Sequence, residues 1–234
     1  MTTQVSSRLI GALFLAGFLV YGVGNGLVIS VIGKPDFLST ISIHQNTLIL
    51  GAFLMLLNTV VDVGKGVLFY PILENHGKRA ALAYLSALIV QVVLLDIGVL
   101  FLLLIVPLGQ YAVDLAGTST AWVTALGTLL TQANTVAYNI GQATLSVGGI
   151  FLCAVLFRTR LIPRFMAGWG LLGYAIHALG SVAELFGIPI SLVLLIPGGL
   201  FELLVLGFWL IFKGFQPEVY RLGREYKVAL MGTT

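Results

Sequence analysis

The chain alternates between long apolar runs and short polar breaks. Six runs, at about 9–32, 46–73, 80–106, 133–157, 165–186 and 189–212, each reach the roughly 20 helical residues that cross a hydrocarbon core. The first is rich in glycine (Gly11, Gly17, Gly22, Gly24, Gly26), which lets helices approach closely in lipid. It continues without a cleavage site, so it reads as a span and not as a signal peptide. ENHGKR is a tight polar turn between the second and third runs, and the third is expected to end at Pro107. RTRLIPR is a basic turn whose Pro163 suits the start of the next helix. Two stretches are harder to place. Phe37 to Ile43 is expected to lie along the interface, and Thr120 to Leu130 to form a short extracytoplasmic helix before the fourth span. The pattern predicts one all-α integral membrane domain over residues 1–234, a bundle of six transmembrane helices.

Composition agrees with the pattern. Hydrophobic residues make up 59% of the chain and charged residues 9%, with a mean hydropathy of +1.05. Ordinary soluble domains carry about 25% charged residues. No extramembrane segment is long enough for a basic recognition surface, so a nucleic-acid partner is not expected. Cys153 is the single cysteine, which rules out an intrachain disulfide.

The basic residues set the orientation. Arg8, Lys78, Arg79, Arg158, Arg160, Arg164, Lys213, Arg221, Arg224 and Lys227 fall on one side of a six-span arrangement. Lys34 falls on the other, and Lys65 lies within a span. By the positive-inside rule both termini are cytoplasmic and the protein sits in the inner (plasma) membrane. Two sets of three spans are compatible with an inverted repeat, although the halves show no residue-level match.

The second run carries Asn58, Asp62 and Lys65 at its centre. At 100° per residue these lie at roughly 0°, 40° and −20° around the helix, on one narrow face. A carboxylate or an ammonium at that depth costs about 2.5–3.5 kcal/mol and by default marks a functional interior. Other runs offer matching stripes: Asn134, Tyr138, Gln142, Gly149 and Cys153 in the fourth; Gly170, Gly173, His177, Ser181 and Glu184 in the fifth; Gly198, Gly199, Glu202 and Trp209 in the sixth. Tyr84 and Gln91 share a face of the third, while Asp96 points about 140° from Gln91. Asp96 is therefore expected to bond a neighbouring helix or a partner subunit. Gly64 and Gly66 are expected to loosen the helix beside Lys65, and Pro197-Gly198-Gly199 to break the sixth and expose backbone carbonyls.

Packing accounts compete with these functional ones. Asp62 and Lys65, three apart, form a local ion pair that lowers the cost of both, or Lys65 snorkels. The Asn, Gln and Ser residues of the fourth run, Gln142 among them, serve as interhelical hydrogen-bond partners, and His177 is a satisfied packing residue. The four acids Asp62, Asp96, Glu184 and Glu202 against one lysine favour function, because some must be protonated or bind a cation.

Several chemistries fall away. His177, Glu184 and Glu202 are the only cluster with zinc-ligand types, and no HExxH motif accompanies them, so neither a metal nor a cofactor is expected. His44 and His76 lie on opposite sides of the membrane, against a bis-histidine haem. Six spans with a lysine on the second do not fit a retinal protein. A nucleophile elbow is missing, and DVGKG lacks the rest of a P-loop.

The stretch FRTRLIPRFMAGWGLLGY, Phe157 to Tyr174, resembles a signature of an uncharacterised bacterial membrane-protein family: an aromatic span end, Arg, a small polar residue, Ile-Pro-Arg, then a glycine-rich helix. The glycine-rich first span and the paired turns around the second and third spans look similar too. That family is a multi-span domain of unknown function, so the resemblance implies the fold and no activity.

The leading expectation is a transporter-like protein binding, and moving, a small polar or cationic solute near mid-membrane. Asn58, Asp62, Lys65, Gln142, His177, Glu184 and Glu202 would form the site. The alternatives are a membrane-embedded enzyme acting on a lipid or apolar substrate, with His177 and an acid as the acid–base pair, and a non-catalytic sensor or partner protein. No motif obliges catalysis, so the non-enzymatic readings lead. The expected partners are the lipid bilayer and a small molecule or ion, with homo-oligomerisation left open.

Overall fold

The computed structural model describes residues 3–34, 37–114 and 121–220, and all regular structure among them is helical. Helix α1 spans Thr3–Ile32. The next helical stretch, Phe37–Asp114, is two helices meeting at Gly77, where φ is 175° and ψ 87°. We number them α2 (37–76) and α3 (78–114). They run back along each other as an antiparallel pair. The rings of Phe69 and Tyr84 lie 6.0 Å apart near the turn. Thr59 Oγ1 donates to Asp96 Oδ1 at 2.6 Å midway along. Gln110 Nε2 donates to Gln45 Oε1 at 3.4 Å near the far end. Helix α4 is Ala121–Thr159 and α5 is Arg164–Leu185. The last helix, α6, begins as Leu192–Leu200, continues as a π-helix over Phe201–Trp209 and ends at Leu210–Phe212. Four stretches are long and apolar enough to cross a membrane, and Ile196–Phe212 is a shorter apolar helix.

Three expectations about helix ends are corrected. Phe37 to Ile43 does not lie along an interface but forms the first turns of α2. Residues 121–130 are not a separate helix but the start of α4; residues 115–120 lie outside the described residues, as do Arg221, Arg224 and Lys227. Helix α3 runs through Pro107 to Asp114. Packing explains all three. Phe37, Leu38 and Ile41 are buried in one cluster with Leu102, Ile105, Leu108 and Val123, so the four-helix contact extends past the polar breaks. At 1.5 Å per residue, α2 and α4 are each about 60 Å long, roughly twice a hydrocarbon core.

The other cluster surrounds the Gly77 end and includes Phe14, Phe69, Tyr84, Leu152 and Phe201. Here one end of each of the six helices meets the others. The Phe215 amide donates to Ser7 Oγ at 3.3 Å, and the Gln216 amide to the Leu161 carbonyl at 3.0 Å. Arg8, Lys78, Arg79, Arg158, Arg160, Arg164 and Lys213 are consequently gathered at this end, away from Lys34, which approaches His44 at the other.

In lipid, apolar burial gives little net drive, and close packing of small residues replaces it. Two crossings show this. A Cβ on Gly24 of α1 would sit 2.8 Å from the Gly51 carbonyl of α2, and one on Gly173 of α5 would sit 2.9 Å from Gly198 Cα of α6. Neither position has room for a side chain. Large apolar residues such as Val60 (68% exposed) and Leu179 (72%) point outward, as lipid-facing residues do.

Candidate functional site

A cavity of about 360 Å³ lies among all six helices. The face formed by Asn58, Asp62 and Lys65 contributes its α2 wall. Their spacing also makes them a local network. Asn58 Nδ2 donates to Asp62 Oδ2 at 2.9 Å, and Lys65 Nζ pairs with Asp62 Oδ1. The Lys65 ammonium lies 4.5 Å from the centroid of the Phe14 ring on α1. Gly17, one turn further along α1, leaves the space over this network open: a Cβ there would lie 3.1 Å from Asn58 Oδ1 and 3.6 Å from Lys65 Nζ.

Glu202 enters from the opposite side. The Gly173–Gly198 contact brings α5 against α6, and Tyr174 Oη donates to Glu202 Oε1 at 2.7 Å. His177, one turn along α5 from Tyr174, lines the cavity as well, and Gln142 does so from α4. Tyr21 and Tyr138, with rings stacked 6.3 Å apart, close the side between α1 and α4. Two lining residues hold buried acceptors without a partner: Asn58 Oδ1 and Gln91 Oε1. An ionised Asp62 only accepts, so the Asn58 amide nitrogen must face it and the oxygen is left over.

Six of the seven residues expected at the site therefore line one cavity: Asn58, Asp62, Lys65, Gln142, His177 and Glu202. Glu184 does not. Helix α5 ends at Leu185, so Glu184 sits in its last turn, two turns beyond His177. Asn134, Cys153, Ser181 and Trp209, on the same stripes, also lie outside the lining. Asp96 is turned away and accepts the Thr59 hydroxyl of the adjacent helix, one of the two roles its direction predicts.

The expected helix breaks are not seen. Helix α2 runs through Gly64 and Gly66, and a Cβ on Gly66 would lie 2.8 Å from Leu88 of α3, so that glycine admits a neighbour and does not loosen the helix. Pro197-Gly198-Gly199 stays helical, and the departure from α geometry comes after it, at Phe201–Trp209. Of the lining rings, Tyr84 and Tyr138 fall on faces already legible in the sequence; Phe14, Phe18, Tyr21 and Tyr174 do not, although Tyr174, three residues before His177, is only about 60° from it. Among the described residues, no three or more His, Cys, Asp or Glu side chains are grouped to hold a metal ion.

These observations define a class: an all-helical protein with helices long and apolar enough to cross a membrane, packed around a cavity lined by carboxylate, ammonium, amide and phenol groups. The chain belongs to the family described as Domain of unknown function (DUF4386), whose profile matches residues 9–214. No curated protein and no solved structure matches it.

Proposed function

We propose that this is a six-span membrane protein that binds a small cationic solute in the central cavity and carries it across the bilayer. The carrying observation is the charge arrangement: two carboxylates and one ammonium line the cavity, an excess of one negative charge when all three are ionised. Asp62 and Glu202 serve as acidic contacts or proton carriers, His177 as a titrating neighbour, and Asn58 and Gln142 as orienting groups.

The hairpin at Gly77 supports the span count, since it divides one apolar stretch into two passes. The described part of α6 is 21 residues, about 31 Å, enough for a sixth. The basic residues gathered at the Gly77 end support placing that end in the cytoplasm. Asp62, Gln91, Gln142, His177 and Glu202 lie roughly ten to seventeen residues in from that end, or about 15–26 Å, which suits a mid-membrane site.

Purified protein in liposomes tests this. Uptake or exchange of a cation driven by its own gradient, reduced in Glu202→Gln and Asp62→Asn, is the expected result. No flux and no binding for inorganic or organic cations, with both variants behaving as the parent, would refute it.

A further inference from the structure

Resting on that reading, we infer that the solute is an organic ammonium ion with an apolar body, and that Glu202, not Asp62, is the carboxylate that receives it. Size is the first argument. A cavity of about 360 Å³ falls within the roughly 300–1,000 Å³ of small-molecule sites. It is equivalent to about a dozen waters at roughly 30 Å³ each, far more than a bare ion fills.

The walls supply the second. Besides its few polar groups the cavity presents Leu88, Leu95, Leu145 and Ile196 together with the rings of Phe18 and Tyr138. An inorganic ion leaves such surface without a partner, whereas a hydrocarbon or aromatic body covers it.

The third argument separates the two acids. Asp62 already holds an ammonium, because Lys65 pairs with it while lying over the Phe14 ring. Carboxylate beneath and aromatic face alongside is how proteins hold ammonium ligands, and here the chain's own lysine fills that place. Glu202 has a phenol donor, Tyr174, and among the described residues no cation lies within ion-pair distance of it. When both acids are ionised, the uncompensated negative charge is the one on Glu202. A donor-bearing cation also suits the unpartnered acceptors Asn58 Oδ1 and Gln91 Oε1, which an N–H group satisfies after a small side-chain adjustment and a quaternary ammonium cannot.

Binding of four probes to the parent protein in nanodiscs tests this by calorimetry: phenethylammonium, its trimethylammonium analogue, phenethyl alcohol and sodium ion. We expect phenethylammonium to bind at least about tenfold more tightly than the alcohol, with the trimethyl analogue between them. Glu202→Gln should remove the preference for the charged probe, whereas Asp62→Asn/Lys65→Met should weaken ammonium and alcohol alike, lowering affinity without removing the ratio between them. Equal binding of alcohol and ammonium, or an unchanged preference in Glu202→Gln, overturns the inference. Binding of sodium but of no phenethyl probe overturns it too, yet leaves the cation-binding reading standing. Failure of every cation refutes both. The probe series on the parent protein decides the ligand class even where a variant does not fold.

Discussion

The buried pair on α2 makes the sharpest prediction about energetics. The Asp62 and Lys65 side chains are 6% and 10% exposed, so neither charge has much access to water. Changing Lys65→Met keeps the length and packing of the side chain but leaves the carboxylate with only the Asn58 amide. Removing one partner of a buried pair costs about 3–5 kcal/mol, and a lone Asp at mid-bilayer costs about 2.5–3.5 kcal/mol. Both point to about 3 kcal/mol. At about 2–4 °C per kcal/mol for a chain of this size, the apparent Tm should fall by roughly 6–12 °C. Asp62→Asn should cost less, about 1–2 kcal/mol, because the ammonium keeps the Phe14 ring and has a long stem on which to move toward the Gly77 end. In Asp62→Asn/Lys65→Met neither position on α2 carries a charge, so stability should return to within about 1 kcal/mol of the parent. Thermal unfolding followed by tryptophan fluorescence in one detergent measures the whole cycle. A double variant that loses the sum of the two single losses would show that the charges are not coupled. A Lys65→Met protein as stable as the parent would show that Asp62 does not need its cation.

Three further outcomes follow from other contacts. Gly173→Val must separate α5 from α6, since its Cβ would lie 2.9 Å from Gly198 Cα; a loss of about 1–3 kcal/mol and of cavity binding is expected, while Gly168→Ala, with only Phe157 at 3.9 Å, should match the parent in thermal unfolding. Tyr174→Phe removes the 2.7 Å bond to Glu202 and should cost about 1 kcal/mol in stability while weakening ammonium binding in calorimetry; a variant unchanged in both would place the bond outside the site's function. His76, half-buried at the helical turn, is held below the ordinary imidazole value by burial. The unfolded chain therefore takes up this proton first as pH falls. Stability present above about pH 6.5 is lost as pH drops through and below that value, and His76→Gln should flatten this part of a Tm-against-pH curve.

The helices were legible because membrane-crossing segments must be apolar throughout, and five of the six predicted spans contain no breaker strong enough to mislead. Their ends were not. Phe37, Leu38 and Ile41 look like an interfacial stretch until Val123, Leu102 and Ile105 are seen to bury them, a tertiary contact that no local pattern encodes. Helical arithmetic worked where the helix is regular: Asn58, Asp62 and Lys65 on α2, Gln142 on α4 and His177 on α5 all reach the cavity. Glu184 shares the His177 stripe but misses the cavity in depth: the run ends at about 186 in the sequence and at Leu185 in the structure, which leaves Glu184 in the last turn. Helical arithmetic failed in direction for Trp209, seven residues from Glu202 and so on its face in an α-helix, because the i→i+5 π-helix turns less per residue. Of the aromatic walls, Phe14, Phe18, Tyr21 and Tyr174 went unnoticed for a different reason. A Tyr or Phe in an apolar run does not stand out, whereas a lone Asp does.

That difference bears on which residue matters most. From composition alone Asp62 is the conspicuous acid, flanked by Asn58 and Lys65 in an otherwise apolar helix. The contacts explain why it can afford to be there: its two oxygens are taken by an amide and an ammonium from its own helix, a self-contained arrangement needing nothing from outside. Glu202 has no such local partner. It reaches the cavity from α6, and its hydroxyl donor comes from α5, across a crossing that depends on Gly173 and Gly198. A group held by contacts between helices responds when those helices move, and one held within a single helix travels with it. For a carrier that must bind on one side and release on the other, the second kind of acid provides structure and the first provides a switch. On the proposed function, ion-pair stability resides on α2 and solute recognition at the α5–α6 crossing.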